Sequence, residues 1–301
     1  MARLWLLVGA GRCGLHLHRA MQASGVATAG VVVRSARSRA RVASLGREVA
    51  IWRLGRKLPA ADALLVAVPD DALGACAERL AASPGLLPVL ALHTSGALPA
   101  EVLAPLRARG CRLGSFHPLF SFPPADAAPV DLAGALAAVE GDDEAVAAAA
   151  ELAATLAMAA CRIDAAAKPR YHAAAALAAN LAPALIALAR NEMVAAGLPP
   201  AAARAGLAAL VPGAIAAALE NDDWEWLTGP AARGDSTTVA SHLEALAPDV
   251  AAAYAAVTRV VVDRIGRAGN LESAAVRRLL AALTAHGLCA SFQTMPRTED
   301  R

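Results

Sequence analysis

Four polar side chains are suited to moving a proton and orienting a reacting oxygen or nitrogen: Ser95, His117, His172 and Asn180. Imidazole titrates near neutral pH, so His117 or His172 can give or take the proton, and the sequence leaves open which one acts. Ser95 and Asn180 would hold the reacting atom by hydrogen bonds. The spacing of His172 and Asn180 places both on one broad face of a helix. An amide buried in such an apolar stretch without partners costs about 1–3 kcal/mol, so Asn180 is expected to be satisfied. Pro183 removes the N–H that would bond the carbonyl of Ala179, which predicts a kink beside Asn180. Candidate substrate contacts are His93, Lys168, Arg233 and Thr238; Arg233 could grip a carboxylate through two parallel N–H bonds.

A second pattern concerns phosphate. Val8-Gly9-Ala10-Gly11-Arg12-Cys13-Gly14 fits G-x-G-x-x-G between an apolar run and a helical stretch. Gly9 would permit the tight turn, Gly11 the close approach of a pyrophosphate, and Gly14 the packing of helix on strand. The helix N-terminus, with Arg12 and Cys13, would offer N–H groups to the phosphates. Val68 and Pro69, after a later apolar run, join this set. The second apolar run leads into Arg34-Ser35-Ala36-Arg37-Ser38-Arg39, where an NAD site would carry Asp or Glu. Arg34 and Arg37 can pair with a 2′-phosphate and Ser35 can hydrogen-bond it, which predicts NADP(H).

These residues need a frame. Residues 1–164 alternate apolar runs with helical stretches. Strands are expected at 4–8, 29–33, 63–68, 88–92, 112–116, 136–139 and 161–163, with helices at 13–24, 71–82, 99–109 and 144–158. Continuous apolar runs suit strands covered on both faces, so the pattern predicts an α/β domain with a doubly wound, mostly parallel sheet. The glycines, Ser95 and His117 then fall at carboxyl ends of strands, where such sheets bind ligands. From residue 165 to 301 Ala-rich helical stretches dominate, predicting an all-α domain for substrate and dimerisation. The 228–238 loop would present Arg233 and Thr238. His16 and His18, two apart on the first helix, face different directions and do not form a metal site.

Composition narrows the classes. Hydrophobic residues make up 57% of the 301, charged ones 18%, and the net charge is +2. That excludes a disordered chain and does not mark a nucleic-acid binder. The five cysteines, Cys13, Cys76, Cys111, Cys161 and Cys289, show neither metal spacing nor a disulfide framework. A cytoplasmic setting is expected. The apolar stretch between His172 and Arg190 carries Asn180 and Pro183 and is slightly short for a bilayer, so a buried core helix and no membrane are predicted. Small side chains on the Ala-rich helices allow close approach, which predicts a homodimer.

Taken together, these blocks resemble a family of Rossmann-like NADP oxidoreductases whose C-terminal helical domain has no assigned function. The resemblance rests on Gly9 to Gly14, His93-Thr94-Ser95-Gly96, Phe116-His117-Pro118-Leu119, Tyr171-His172-Ala173-Ala174, Asn180, and Thr228-Gly229-Pro230 with Arg233-Gly234-Asp235. The wider group includes 6-phosphogluconate dehydrogenase, ketopantoate reductase, pyrroline-5-carboxylate reductase and prephenate dehydrogenase, and it implies hydride transfer and helical-domain dimers. Ser95 and His117-Pro118 are similar to a Ser and a His-Pro pair of prephenate dehydrogenases. The helix with Lys and Asn four apart, found in hydroxyacid dehydrogenases, is not seen. Two functions follow: an NADP(H)-dependent oxidoreductase for a small polar, carboxylate-bearing substrate, or a non-catalytic NADP(H) sensor or scaffold.

Overall fold

Among the described residues, eight strands form one sheet of order β3-β2-β1-β4-β5-β6-β7-β8, and its central strands are short apolar runs buried on both faces. The computed structural model describes residues 3–44, 46, 49–84 and 88–285; Cys289 and the polar tail from Met295 lie outside them. The strands are β1 (Trp5–Val8), β2 (Thr28–Val33), β3 (Ile51–Arg53), β4 (Ala63–Val66), β5 (Leu90–His93), β6 (Arg112–Leu119), β7 (Leu136–Gly141) and β8 (Ala159–Arg162). All neighbours pair in parallel except β6 and β7. The sheet is doubly wound and mostly parallel, as the alternation of apolar runs and helical stretches predicts. The order in which successive strands are added reverses between β1 and β4, which is where the crevice of such a sheet opens.

Helices α1 (Arg12–Ala23), α2 (Ala36–Ala43), α3 (Asp70–Ala81), α4 (Ala104–Arg107) and α5 (Asp143–Thr155) connect the strands. One core layer gathers Leu7, Leu15, Phe116 and Leu152, and the other Leu6, Leu64, Leu73 and Leu113. Two elements escape the sequence pattern. β3 is a three-residue edge strand, too short to show a period. α2 is arginine-rich and reads as a basic loop, yet the Ser35 hydroxyl caps it by accepting the Ser38 N–H at 3.1 Å.

α6 (Lys168–Ala176) runs through a π turn (Leu177–Leu181) into α7 (Ala182–Ala195). The π turn stands where a kink was expected: widening the ladder just before Pro183 accommodates the missing N–H. Backbone contacts divide the chain into compact units of residues 1–181 and 182–301. The unit boundary falls after the change from strands to helices near residue 164, because α6 is tied to the sheet by side chains described below.

The second unit holds α7, α8 (Pro200–Glu220), α9 (Ser236–Ala245), α10 (Pro248–Arg267) and α11 (Ser273–Ala285). Its core is small, built on Val239, Leu243, Val262, Leu279 and Leu283. The expected buried helix between His172 and Arg190 is instead largely exposed in the single chain. Among the described residues, two helices, 165–195 and Pro200–Glu220, are long and apolar enough to cross a membrane. Length therefore does not exclude a bilayer span for the first, because the helix extends well beyond the expected stretch. Among the described residues, Leu177, Leu181 and Leu185 of this helix are exposed.

Candidate dinucleotide cleft and histidine cluster

Each glycine of the turn after β1 has its own steric reason. Gly9 has φ +110°, and a Cβ there would lie 2.2 Å from the Ala67 carbonyl oxygen. A Cβ at Gly11 would meet nothing within 4 Å, because this backbone faces the open cleft. One at Gly14 would stand 2.9 Å from the Gly9 carbonyl oxygen and 3.1 Å from Ala67 Cβ, so α1 packs against the strand ends only with glycine here. The cleft has a volume of about 620 Å³ and is lined by Gly9, Ala10, Gly11, Arg34, Val68 and Pro69, joined by Arg41 and Arg79. Arg12, Cys13 and Gly14 form the start of α1 behind the loop. Burial pushes the Cys13 thiol up to about 12 against a hydrogen bond with Thr94, so it is no nucleophile.

A smaller cleft of about 250 Å³ shares Val33 and Arg34 with the first and is lined by Ser35, Arg39, Trp52 and Arg53. Three guanidinium groups thus meet at the ends of β2 and β3 and the start of α2, and none of the described residues that line the cleft is acidic. Arg37, the expected phosphate contact, is exposed on α2 and lines neither cleft, because the helix turns it aside. Sequence reasoning missed Arg41, whose Nη1 donates to the Ala10 carbonyl at 2.8 Å. It also missed Arg53 as a member of the basic cleft, where Arg39, expected only to support the field, stands in the lining. Helical spacing in α2 could have revealed Arg41; β3 carried no such signal. The glycine turn, the α1 terminus and these arginines fit a dinucleotide bearing an extra phosphate.

Further along the same carboxyl edge lies a ring cluster. β5 ends at His93, paired with Ser115, while β6 continues to Leu119. His117 therefore stands beyond the end of its neighbour, and Pro118 is tolerated there because no β5 backbone needs its N–H. His117 Nδ1 is 2.9 Å from the Tyr171 hydroxyl, and its ring meets Tyr171 and His172 edge-on at 5.5 and 5.9 Å between centroids. Gly96 makes room: a Cβ there would be 2.8 Å from both His117 Nε2 and His172 Cδ2. Burial lowers the pKa of His117 to about 4, helped by His172 and Lys168, so it is neutral at pH 7. Burial raises that of Tyr171.

Several expected contacts serve the fold instead. His93 is fully buried; its Nδ1 accepts the Ser95 N–H at 3.1 Å and its Nε2 donates to the Pro99 carbonyl at 3.2 Å. With both nitrogens used and its pKa driven to about 3 by burial, it is a neutral strand-end brace and not a substrate contact. The Ser95 hydroxyl accepts the N–H groups of Ala97 and Leu98 at 3.2 and 3.0 Å, closing a turn. Lys168 is enclosed completely, which burial of its stem against the sheet explains, and it has no surface to offer a substrate. Asn180 is exposed on the π turn and gains no partner from the first unit's core. Thr238 is occupied in capping α9, its N–H and hydroxyl reaching Asp235 at 3.0 and 2.6 Å. Arg233 is exposed in the second unit. Tyr171 is the member that sequence reasoning named only within a motif and not as a site residue.

A doubly wound sheet with a glycine cradle at its switch point defines the class: a Rossmann-type dinucleotide-binding architecture. More particularly, residues 2–118 match the model of the Rossmann-like domain and residues 135–261 that of the domain of unknown function DUF2520. Comparison with curated protein sequences returned no match. Among solved structures, BF3122 of Bacteroides fragilis, assigned as an NADP oxidoreductase, is 23% identical with TM-score 0.71, over 87% of this chain and 98% of that one. Protein TM1727 of Thermotoga maritima is 20% identical with TM-score 0.65, over 88% and 99%. An imine reductase of Myxococcus stipitatus in complex with NADP+ is 19% identical with TM-score 0.56, over 92% and 99%. At these identities the likeness speaks for the fold.

Proposed function

We infer that this protein is an NADP(H)-dependent oxidoreductase acting on a small polar substrate of the hydroxy/keto or imine type. The observation that carries the reading is the shared carboxyl edge: the glycine cradle follows β1, the arginine cleft follows β2, and the His117 cluster stands on β6 of the same sheet. Structural neighbours that are oxidoreductases, one with NADP+ bound, agree with it. The loop and α1 terminus would hold the pyrophosphate, and Arg34, Arg39 and Arg53 the 2′-phosphate. When bound, the nicotinamide supplies or accepts the hydride.

The chain's own task is the proton. With Nδ1–H donating to the Tyr171 oxygen, the Nε2 lone pair of neutral His117 accepts the proton of the substrate O–H or N–H as the hydride leaves. The imidazolium so formed returns that proton in the reverse direction. His172 and Gly96 wall the ring in.

A carboxylate on the substrate is the finer part of the reading. The test is titration calorimetry with NADPH and NADH, followed by cofactor oxidation against keto acids, cyclic imino acids and their carboxylate-free analogues. Turnover that requires the carboxylate supports the full reading. Equal rates without it remove the carboxylate. Tight NADPH binding with no turnover on any member would transfer the conclusion to the non-catalytic sensor.

A further inference from the structure

A fully buried lysine needs partners, and Lys168 has a set of them. Its Nζ donates to Ser115 Oγ at 2.7 Å and to the Ser95 carbonyl at 3.1 Å, with Glu140 Oε2 at 3.9 Å. Glu140 is itself held: it accepts the Ala100 N–H at 2.8 Å and the Ser115 hydroxyl at 3.3 Å. These contacts join the first residue of α6 to the end of β5, to β6 and to β7. A buried ion pair adds little net stability, because desolvation offsets the attraction. What the arrangement supplies is register.

Ser115 and His117 are two apart on β6, on one face of the sheet and about 6.7 Å from each other along the strand. Tyr171 and His172 lie three and four residues beyond Lys168 on α6, an advance of about 4.5–6 Å. Pinning Lys168 on Ser115 therefore carries Tyr171 and His172 to His117, where the 2.9 Å bond and the two edge-on ring contacts are found.

We propose that Lys168, clamped by Ser115 and Glu140, is a positioning residue that sets the Tyr171–His117 hydrogen bond and so orients the His117 imidazole. Lys168 touches no substrate; it acts through α6. Its consequence for turnover rests on the oxidoreductase reading above, whereas its consequence for the His117 ring does not.

The experiment is nitrogen NMR of the histidine side chains in the full chain without cofactor. Tyr171→Phe records the signal of His117 Nδ1 without its partner. Lys168→Met combined with Glu140→Gln removes both charges while keeping an acceptor for the Ala100 N–H. Ser115→Ala is a milder second variant that removes one clamp bond. Both are expected to move the Nδ1 signal toward its Tyr171→Phe position, the double variant further, while backbone amides of β1 and β4 stay in place. In the enzyme assay kcat is expected to fall by roughly tenfold or more with KM nearly unchanged, the mark of an interaction made in the transition state. A His117 signal at its wild-type position in both variants overturns the proposal. A moved signal in a protein that turns over nothing upholds the clamp and sinks the oxidoreductase reading alone.

Discussion

His18 is enclosed on α1 with neither ring nitrogen hydrogen-bonded, and burial lowers its pKa. Leaving such a group unsatisfied costs about 1–3 kcal/mol, so an apolar side chain of similar size should do better. His18→Leu is expected to raise unfolding free energy at pH 7 by about that amount in urea titration; equal or lower stability would refute the account. His93 gives a related prediction. Its folded-state pKa of about 3 lies below the roughly 6.5 of an unfolded histidine, so the unfolded chain binds more protons in acid. The stability due to neutral His93 is complete above about pH 6.5 and is lost as pH falls toward 3, by roughly 1.4 kcal/mol per pH unit. His18 and His117 add to this loss in the same direction. The expected signature is acid destabilisation beginning near pH 6, above the carboxylate range, and a shallower slope in His93→Gln. Stability flat from pH 6.5 to 5 would contradict it.

At the scale of elements, two tethers hold the ligand edge together. Lys168 pins α6 to the sheet. Across the glycine turn, Arg41 reaches from α2 to the Ala10 carbonyl and fixes the loop that a pyrophosphate would approach. The arginines of the cofactor region should therefore separate in their effects. Arg34→Ala and Arg53→Ala are expected to weaken NADP(H) by about 1.5–3 kcal/mol, the value of a charge-assisted bond, with little change for NAD(H). Arg41→Ala should weaken both dinucleotides alike, because it acts on the loop they share. Calorimetry with the two cofactors on the three variants decides this, and a loss confined to NADP(H) in Arg41→Ala would place that residue at the phosphate instead. Segment 120–135 is latched in the same manner onto α1, by His16 to the Pro124 carbonyl at 3.1 Å and Arg19 to that of Ala127 at 2.8 Å.

For the whole molecule, the uncovered apolar surface is the dominant fact. Leu219 is 82% exposed and Leu210 63%, both on α8, and Val260 on α10 is 57% exposed. Within the second unit a groove of about 600 Å³ runs between α7 and α10, lined by Leu185, Leu188, Met193, Val250 and Val257. Surface of this kind marks an interface. We propose that a second copy of the chain covers it. Light scattering at micromolar concentration should give twice the chain mass, and Leu210→Glu with Leu219→Glu should shift it toward one. A wild-type monomer would exclude the dimer. Recovery only in detergent micelles or with vesicles would point to the membrane alternative that the two long apolar helices satisfy by length.

What could be read along the chain was whatever depends on neighbours in sequence. The glycine pattern, strands made apolar on both faces, the change to Ala-rich helices and the basic end of β2 all rest on local sterics and periodicity, and the doubly wound sheet follows from them. Contacts between residues far apart in sequence decided the rest. Nothing in the spacing of Lys168, Ser115 and Glu140 announces a clamp, because α6, β6 and β7 meet only through the topology. The same holds for Tyr171 against His117, separated by 54 positions. His93 and Ser95 have the right chemistry for a site, yet both His93 nitrogens and the accepting side of the Ser95 hydroxyl are engaged by the turns beside them. Polar type and strand-end position mark a residue as available; whether its atoms are free depends on which backbone groups the folded chain brings within hydrogen-bond reach.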